Sequence, residues 1–194
     1  MKLHYTPKSH YARKDRILID ALGLDVELLD AGNVADQDPE LFAGNPLMKV
    51  PTLITGEGQP VFESDHIAEY LVRQYDPNDR YQVLTTDLNT LNTRAVMNGV
   101  MAAEVELVMA ERTGIEAGKY QRYEKFRNTV DHGLVWLEQR ASWFENKVDY
   151  AGFHLVCLWD HLVLYQMFAL PYPRLQAEVE RLSEIDFVNK SAPF

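Results

Sequence analysis

The stretch Val50-Pro51-Thr52-Leu53-Ile54, Gly56-Glu57-Gly58, Pro60-Val61-Phe62 and then Ser64 to Tyr75 decides the fold. Two short apolar runs flank a glycine-punctuated turn, which is the pattern of a hairpin. Ser64 then opens a helix as its N-cap, with Ile67, Ala68, Tyr70, Leu71 and Tyr75 following. Upstream, Leu3-His4-Tyr5 reads as a strand. Tyr11 to Leu22 reads as a helix with Ile17, Leu18, Ala21 and Leu22 at helical spacing, stopped by Gly23. Val26 to Leu29 is a second strand. Asn33 to Gly44 is polar and turn-rich, with a weak helix over Pro39 to Ala43. The order is βαβ followed by ββα.

Downstream the period changes. Asp76-Pro77-Asn78-Asp79-Arg80 is a cluster of breakers and marks a boundary. The expected organisation is an α/β domain over 1–76, a linker over 77–85 and an all-α domain over 86–194. Helices are predicted over Thr86 to Arg112, Lys119 to Glu145, Gly152 to Leu170 and Leu175 to Leu182. Phe126, Val130, Leu134 and Leu137 line one face of the second. The third is the most apolar and is expected at the centre of the helical half, stopped by Pro171 and Pro173.

Composition narrows the function. With 19 basic and 29 acidic residues the 194-residue chain carries a net charge of −10. Such a chain repels nucleic-acid phosphates and anionic lipid, so neither nucleic acid nor membrane is an expected partner. A small anion is still admissible, because helix N–H groups bind it locally. Cys157 is the single cysteine, which rules out an internal disulfide and suits a reducing compartment. No signal-like apolar run opens the sequence, and the Phe153 to Leu170 run is broken by His154, Asp160, His161 and Gln166. The expected location is the cytoplasm.

Three segments then carry specific information. Ser9-His10-Tyr11-Ala12-Arg13-Lys14 follows the first strand. Asn45-Pro46-Leu47-Met48-Lys49-Val50-Pro51-Thr52-Leu53 precedes the hairpin, and Phe62-Glu63-Ser64-Asp65-His66-Ile67-Ala68-Glu69-Tyr70-Leu71 ends it. In order and spacing they resemble the glutathione-site segments of cytosolic glutathione transferases, closest to the bacterial type with Ser-Pro-x-x-Arg-Lys before the first helix. Pro173 to Phe194 resembles the terminal helix and tail of that group. The resemblance implies a thioredoxin-like glutathione-binding domain, a helical second domain, glutathione as co-substrate, no metal, and a homodimer. The chain departs from the pattern in places. His10 replaces the usual proline, and Met48 stands where glycine is common. Asp149-Tyr150-Ala151-Gly152 keeps a cap but lacks the usual acid. Asn98 and Ala102 occupy positions often acidic in the first long helix.

Each segment has a physical use under that resemblance. Ser9, between strand and helix N-terminus, can donate a hydrogen bond to a sulfur, and the helix dipole favours thiolate at the same point. Ser9 can equally be a plain cap. Tyr5 and Tyr11 are alternative hydroxyls, and His10 a loop histidine. No Cys-x-x-Cys occupies Ser9 to Ala12, which excludes intramolecular dithiol chemistry. The resemblance implies a cis bond at Val50-Pro51 that offers the Val50 main chain to the cysteinyl unit of glutathione in the manner of an added strand. The alternative is a trans proline beginning an edge strand. Lys49 is placed to approach the glycyl carboxylate or to remain solvated. Ser64 and the N–H groups of its helix suit the γ-glutamyl carboxylate, and Glu63 the ligand's ammonium group.

Other residues read as structure. Cys157 lies among Leu155, Val156 and Leu158, a core position. His154, Asp160 and His161 lack a second cluster to complete a metal site. Trp136, Trp143 and Trp159 are expected to pack helices, with some lining an apolar pocket. The resulting expectation is attack of glutathione thiolate on a hydrophobic electrophile, held where Val100, Met101, Val105 and Met109 face the first domain. The competing expectations are a family relative acting through protein contacts, and glutathione-dependent isomerisation, dehalogenation or ether cleavage.

Overall fold

The computed structural model describes residues 1–193. Strands β1 (Lys2–Tyr5), β2 (Glu27–Asp30), β3 (Thr52–Ile54) and β4 (Pro60–Phe62) form one sheet in the order β2-β1-β3-β4. β1 and β2 are parallel, as a strand-helix-strand crossover requires, while β3 and β4 join antiparallel through the hairpin. Helices α1 (His10–Leu22) and α2 (Ser64–Tyr75) pack on one another, and α2 packs on β3 and β4. Leu3, Ile17, Leu18, Leu53, Ile67 and Leu71 are fully buried and make up this core. Only a 3-10 turn, Pro39–Phe42, forms where the weak helix was expected.

The second half contains helices α3 (Leu88–Arg112), α4 (Gln121–Glu138), α5 (Tyr150–Tyr165) and α6 (Pro173–Ser183), with a short α7 (Asp186–Asn189) after them. Asp87 caps α3 through a 2.8 Å bond from the Thr90 N–H, and Asp149 caps α5 through a 2.8 Å bond from the Gly152 N–H. Val130, Leu134 and Leu137 form the buried face of α4. Gly133 lets α4 approach α3, because a Cβ there would run into Val100 Cγ2. Twelve of the sixteen residues of α5 are buried, which puts it at the centre of this unit.

Two boundaries differ from the predicted ones. α4 ends at Glu138, and a separate 3-10 turn covers Ala141–Trp143. α5 stops at Tyr165, well before Pro171, because Gln166 turns left-handed (φ 52°). No glycine marks that stop, so the sequence pattern carried no signal for it.

Two compact units result: residues 1–84 with 185–193, and residues 85–184. The tail read from the sequence as part of the helical half therefore clusters with the first unit. The physical reason is Arg13 of α1, which is buried and donates from Nε to Ser191 Oγ (3.2 Å) and from Nη2 to the Val188 carbonyl (3.5 Å). Lys190 adds an ion pair to Asp20 at 2.8 Å.

Candidate functional site

Sheet register explains why distant sequence segments belong to one place. His4 of β1 pairs with Thr52 of β3, which pairs with Phe62 of β4. This row lies at the C-terminal end of β1, the N-terminal end of β3 and the C-terminal end of β4. The loop to α1 with Ser9, the residues Lys49-Val50-Pro51 before β3, and Glu63-Ser64 after β4 all leave the sheet at that end.

Ser9 is the N-cap of α1. Its Oγ accepts a 3.2 Å hydrogen bond from the Ala12 N–H. The hydroxyl proton is not used by that contact, so the same oxygen can cap the helix and donate outward. The first turn of α1 contains no acidic residue, so none of its own side chains opposes an anion at the positive end of its dipole. Thr6 shapes the approach, its carbonyl accepting from the Ser9 N–H at 3.0 Å. The rival hydroxyls sit differently. Tyr5 lies under the Arg16 guanidinium, 4.8 Å from its ring centroid, and Tyr11 stacks edge-on against His10 at 4.4 Å. His10, read as an exposed loop residue, is the first residue of α1 and is buried.

The Val50–Pro51 peptide bond is cis. Among the described residues the Val50 main chain makes no backbone hydrogen bond, and β3 begins only at Thr52. The loop before it is braced by Asn45, a buried residue the sequence reading quoted without giving it a role. Asn45 donates from Nδ2 to the Lys49 carbonyl (3.1 Å) and to Thr52 Oγ1 (3.1 Å), and its Oδ1 accepts from the Leu47 N–H (3.0 Å). The Lys49 side chain is exposed. Met48 has φ 51°, the left-handed conformation that explains why glycine is common at this point of the resembling sequences.

Glu63, not Ser64, is the N-cap of α2, and it makes no side-chain cap bond. Its backbone holds φ 68°, ψ 128°, a region that costs a non-glycine residue about 1–3 kcal/mol and persists only where the surroundings impose it. Ser64 is the first helical residue and is buried. Next to it Asp65 meets Lys14 of α1, Nζ to Oδ1 at 3.0 Å, with the Lys14 side chain fully buried. The sequence offered no sign of this, since lysine is rarely buried. Asp15, the following residue, is also fully buried, and among the described residues neither carboxylate oxygen has a hydrogen-bond partner. Desolvation drives its pKa well above the ordinary value, and the like charge of Asp65 pushes the same way. Lys14 opposes both.

In the helical unit, Val100 and Met101 both meet other residues of that unit. Val100 is packed at the α3–α4 crossing, and Met101 is buried with its sulfur 2.9 Å from His154 Nε2. Val105 and Met109 remain partly exposed. Cys157 is buried as expected of a core residue. His161 Nδ1 lies 2.9 Å from Glu104 Oε2, an acid the sequence reading overlooked. Burial raises the Glu104 pKa, and the contact with His161 opposes that rise. A cleft of 630 Å³ between α3 and α4 is lined by Val100, one of the residues expected to hold the electrophile, with Gly99, Lys125, His132 and others, and by none of the residues expected to bind glutathione. No helix among the described residues is long and apolar enough to cross a membrane.

A β1-α1-β2 and β3-β4-α2 arrangement, with two helix N-termini at one end of the sheet, defines a thioredoxin-like domain, here followed by an all-helical unit. Residues 3–79 match the family model described as glutathione S-transferase, N-terminal domain. The whole chain resembles a glutathione S-transferase from Methylobacillus flagellatus KT solved with glutathione bound (27% identity, TM-score 0.84). The likeness covers 100% of this chain and 99% of that one. It shares its fold with a maleylacetoacetate isomerase from Methylobacterium extorquens AM1 solved with malonate and glutathione (24% identity, TM-score 0.74, covering 100% and 96%). Over 81 residues it is 37% identical to elongation factor 1-gamma 2 of Oryza sativa subsp. japonica. That stretch is 41% of this chain, which spans about a fifth (19%) of the length of that curated relative. Residues 3–79 thus carry the N-terminal domain of the glutathione S-transferase family, and the chain as a whole has a glutathione S-transferase-like fold.

Proposed function

We propose that this protein binds glutathione at the chemistry-bearing end of the sheet and directs its thiolate at a hydrophobic electrophile. Ser9 is the catalytic residue, donating to the sulfur. The main chain of Val50, ahead of Pro51, pairs with the cysteinyl unit. Lys49 approaches the glycyl carboxylate, Ser64 and the first turn of α2 take the γ-glutamyl carboxylate, and Glu63 takes the ammonium group. The observation that carries the reading is the backbone of Glu63 (φ 68°, ψ 128°). It sets an exposed carboxylate and a helix N-terminus side by side, in a conformation that a non-glycine residue adopts only where the surroundings impose it. A zwitterionic amino-acid head group is the complement of that pair.

The reaction needs a lowered thiol pKa, and two features of α1 support it, the Ser9 hydroxyl and a first turn without an acidic residue. An electrophile site in the helical unit, the division of the chain into a glutathione domain and a helical domain, and a homodimeric cytoplasmic enzyme all belong to the same proposal. Retention on glutathione resin followed by turnover of 1-chloro-2,4-dinitrobenzene tests it, and both are expected. Binding without turnover would favour another thiol chemistry, such as the isomerisation named for the structural neighbour. A second reading, a protein acting through contacts rather than turnover, is favoured by the match to elongation factor 1-gamma. Absence of both binding and turnover would select it.

A further inference from the structure

Lys14 stands out because its ammonium has left water completely. Burying a charge is costly unless a counter-charge receives it. That counter-charge is Asp65, 3.0 Å away in the first turn of α2 and 31% exposed. The pair joins α1, whose N-terminus carries Ser9, to α2, whose N-terminus carries Glu63 and Ser64. It also settles an electrostatic conflict. An aspartate in the first turn of a helix satisfies the dipole itself and repels any second anion brought to the same N–H groups. Left alone, Asp65 would oppose a ligand carboxylate at Ser64. With Lys14 against it the charge of Asp65 is opposed, which favours the approach of an external anion to the helix end.

We propose that Lys14 is a positioning residue for the acidic end of glutathione: it cancels the charge of Asp65 so that the N-terminus of α2 accepts the γ-glutamyl carboxylate. The proposal rests on the reading of that helix end given above. Asp15 does not take over the role of Asp65, since burial without a hydrogen-bond partner disfavours its charged form. The Tyr11 ring, 5.8 Å from Lys14 Nζ, adds a weak cation–π contact on the α1 side.

Calorimetric titration of the full chain with S-hexylglutathione, and with the analogue lacking the γ-glutamyl α-carboxylate, tests this. Lys14→Met should weaken S-hexylglutathione binding about tenfold and leave affinity for the analogue unchanged. Adding Asp65→Asn to Lys14→Met should recover most of the loss. Asp65→Asn alone removes the repelling carboxylate and, whether the buried Lys14 keeps or gives up its proton, should leave binding as tight as in the unaltered protein or tighter. This single variant decides the matter even if Lys14→Met does not fold. Weaker binding by Asp65→Asn, or equal losses for ligand and analogue, would reduce the pair to a structural brace and overturn the proposal. If the unaltered protein bound neither compound, the glutathione reading itself would fall, an outcome distinct from a bound ligand indifferent to residues 14 and 65.

Discussion

Replacing Ser9 separates the cap bond that the structure shows from the thiol activation proposed for the same oxygen. Ser9→Ala deletes the acceptor that holds the Ala12 N–H at 3.2 Å, and an N-cap serine is worth about 1 kcal/mol over alanine. In a chain of this size that lowers Tm by roughly 2–4 °C. Ser9→Gly keeps most of the cap, since glycine costs only a few tenths of a kcal/mol there, yet it removes the hydroxyl just as fully. A hydrogen bond to a charged group contributes about 1.5–3 kcal/mol, which corresponds to a roughly 10- to 150-fold loss of thiolate at a pH below the thiol pKa. Both variants should therefore lose turnover of 1-chloro-2,4-dinitrobenzene to a similar degree, with only Ser9→Ala melting clearly earlier. Ultraviolet titration of the bound thiolate should show the same rise in thiol pKa for both. Glutathione affinity should change little, because the tripeptide's charged ends are held elsewhere. Turnover that tracked the melting temperature, falling in the alanine variant and surviving in the glycine one, would refute the reasoning. The activating role would then pass to Tyr5, Tyr11 or a backbone donor.

Gly133→Ala should destabilise the helical unit by up to about 2 kcal/mol in thermal melts. Overpacking against Val100 outweighs the roughly 1 kcal/mol gain in helix propensity, and a more stable variant would contradict the close α3–α4 approach. Asp15→Asn addresses pH. The folded-state pKa of Asp15 lies above its unfolded value near 3.8, so the native state binds the extra proton, and stability falls as pH rises from that value towards the folded pKa. The variant should flatten that decline in denaturant titrations at successive pH values, and Asp15→Val should stabilise the chain at neutral pH by about 1–3 kcal/mol. A decline of the same slope in Asp15→Asn would move the effect to another group.

Much of the architecture was legible because its signals are local. Glycines around Glu57, the stop at Gly23 and the breakers from Asp76 onward divided the chain nearly where the elements divide. The departures fall where the deciding force is tertiary. Helix periodicity showed that Val100 and Met101 are apolar, but not which neighbour covers them. Val100 turned out to meet α4 at Gly133, and Met101 to lie against His154. The end of α5 depends on one left-handed glutamine, a conformation that composition does not announce. At the candidate site, Ser9, Val50, Glu63 and Ser64 were singled out by motif order, and sheet register puts the segments that carry them at a common end of the sheet, which motif order alone does not show. Lys14, Asp65 and Asn45 escaped notice as contributors. A buried lysine, its counter-ion and an asparagine bracing a loop are defined by partners far away in sequence.

A crystal structure of this protein with glutathione tests the central claim most directly. The account predicts an extended tripeptide with its sulfur beside Ser9 Oγ, its cysteinyl unit along the Val50 main chain, and its γ-glutamyl carboxylate on the Ser64 N–H end of α2. Glutathione seated instead in the α3–α4 cleft, or with its sulfur turned towards Tyr5 or Tyr11, would contradict it.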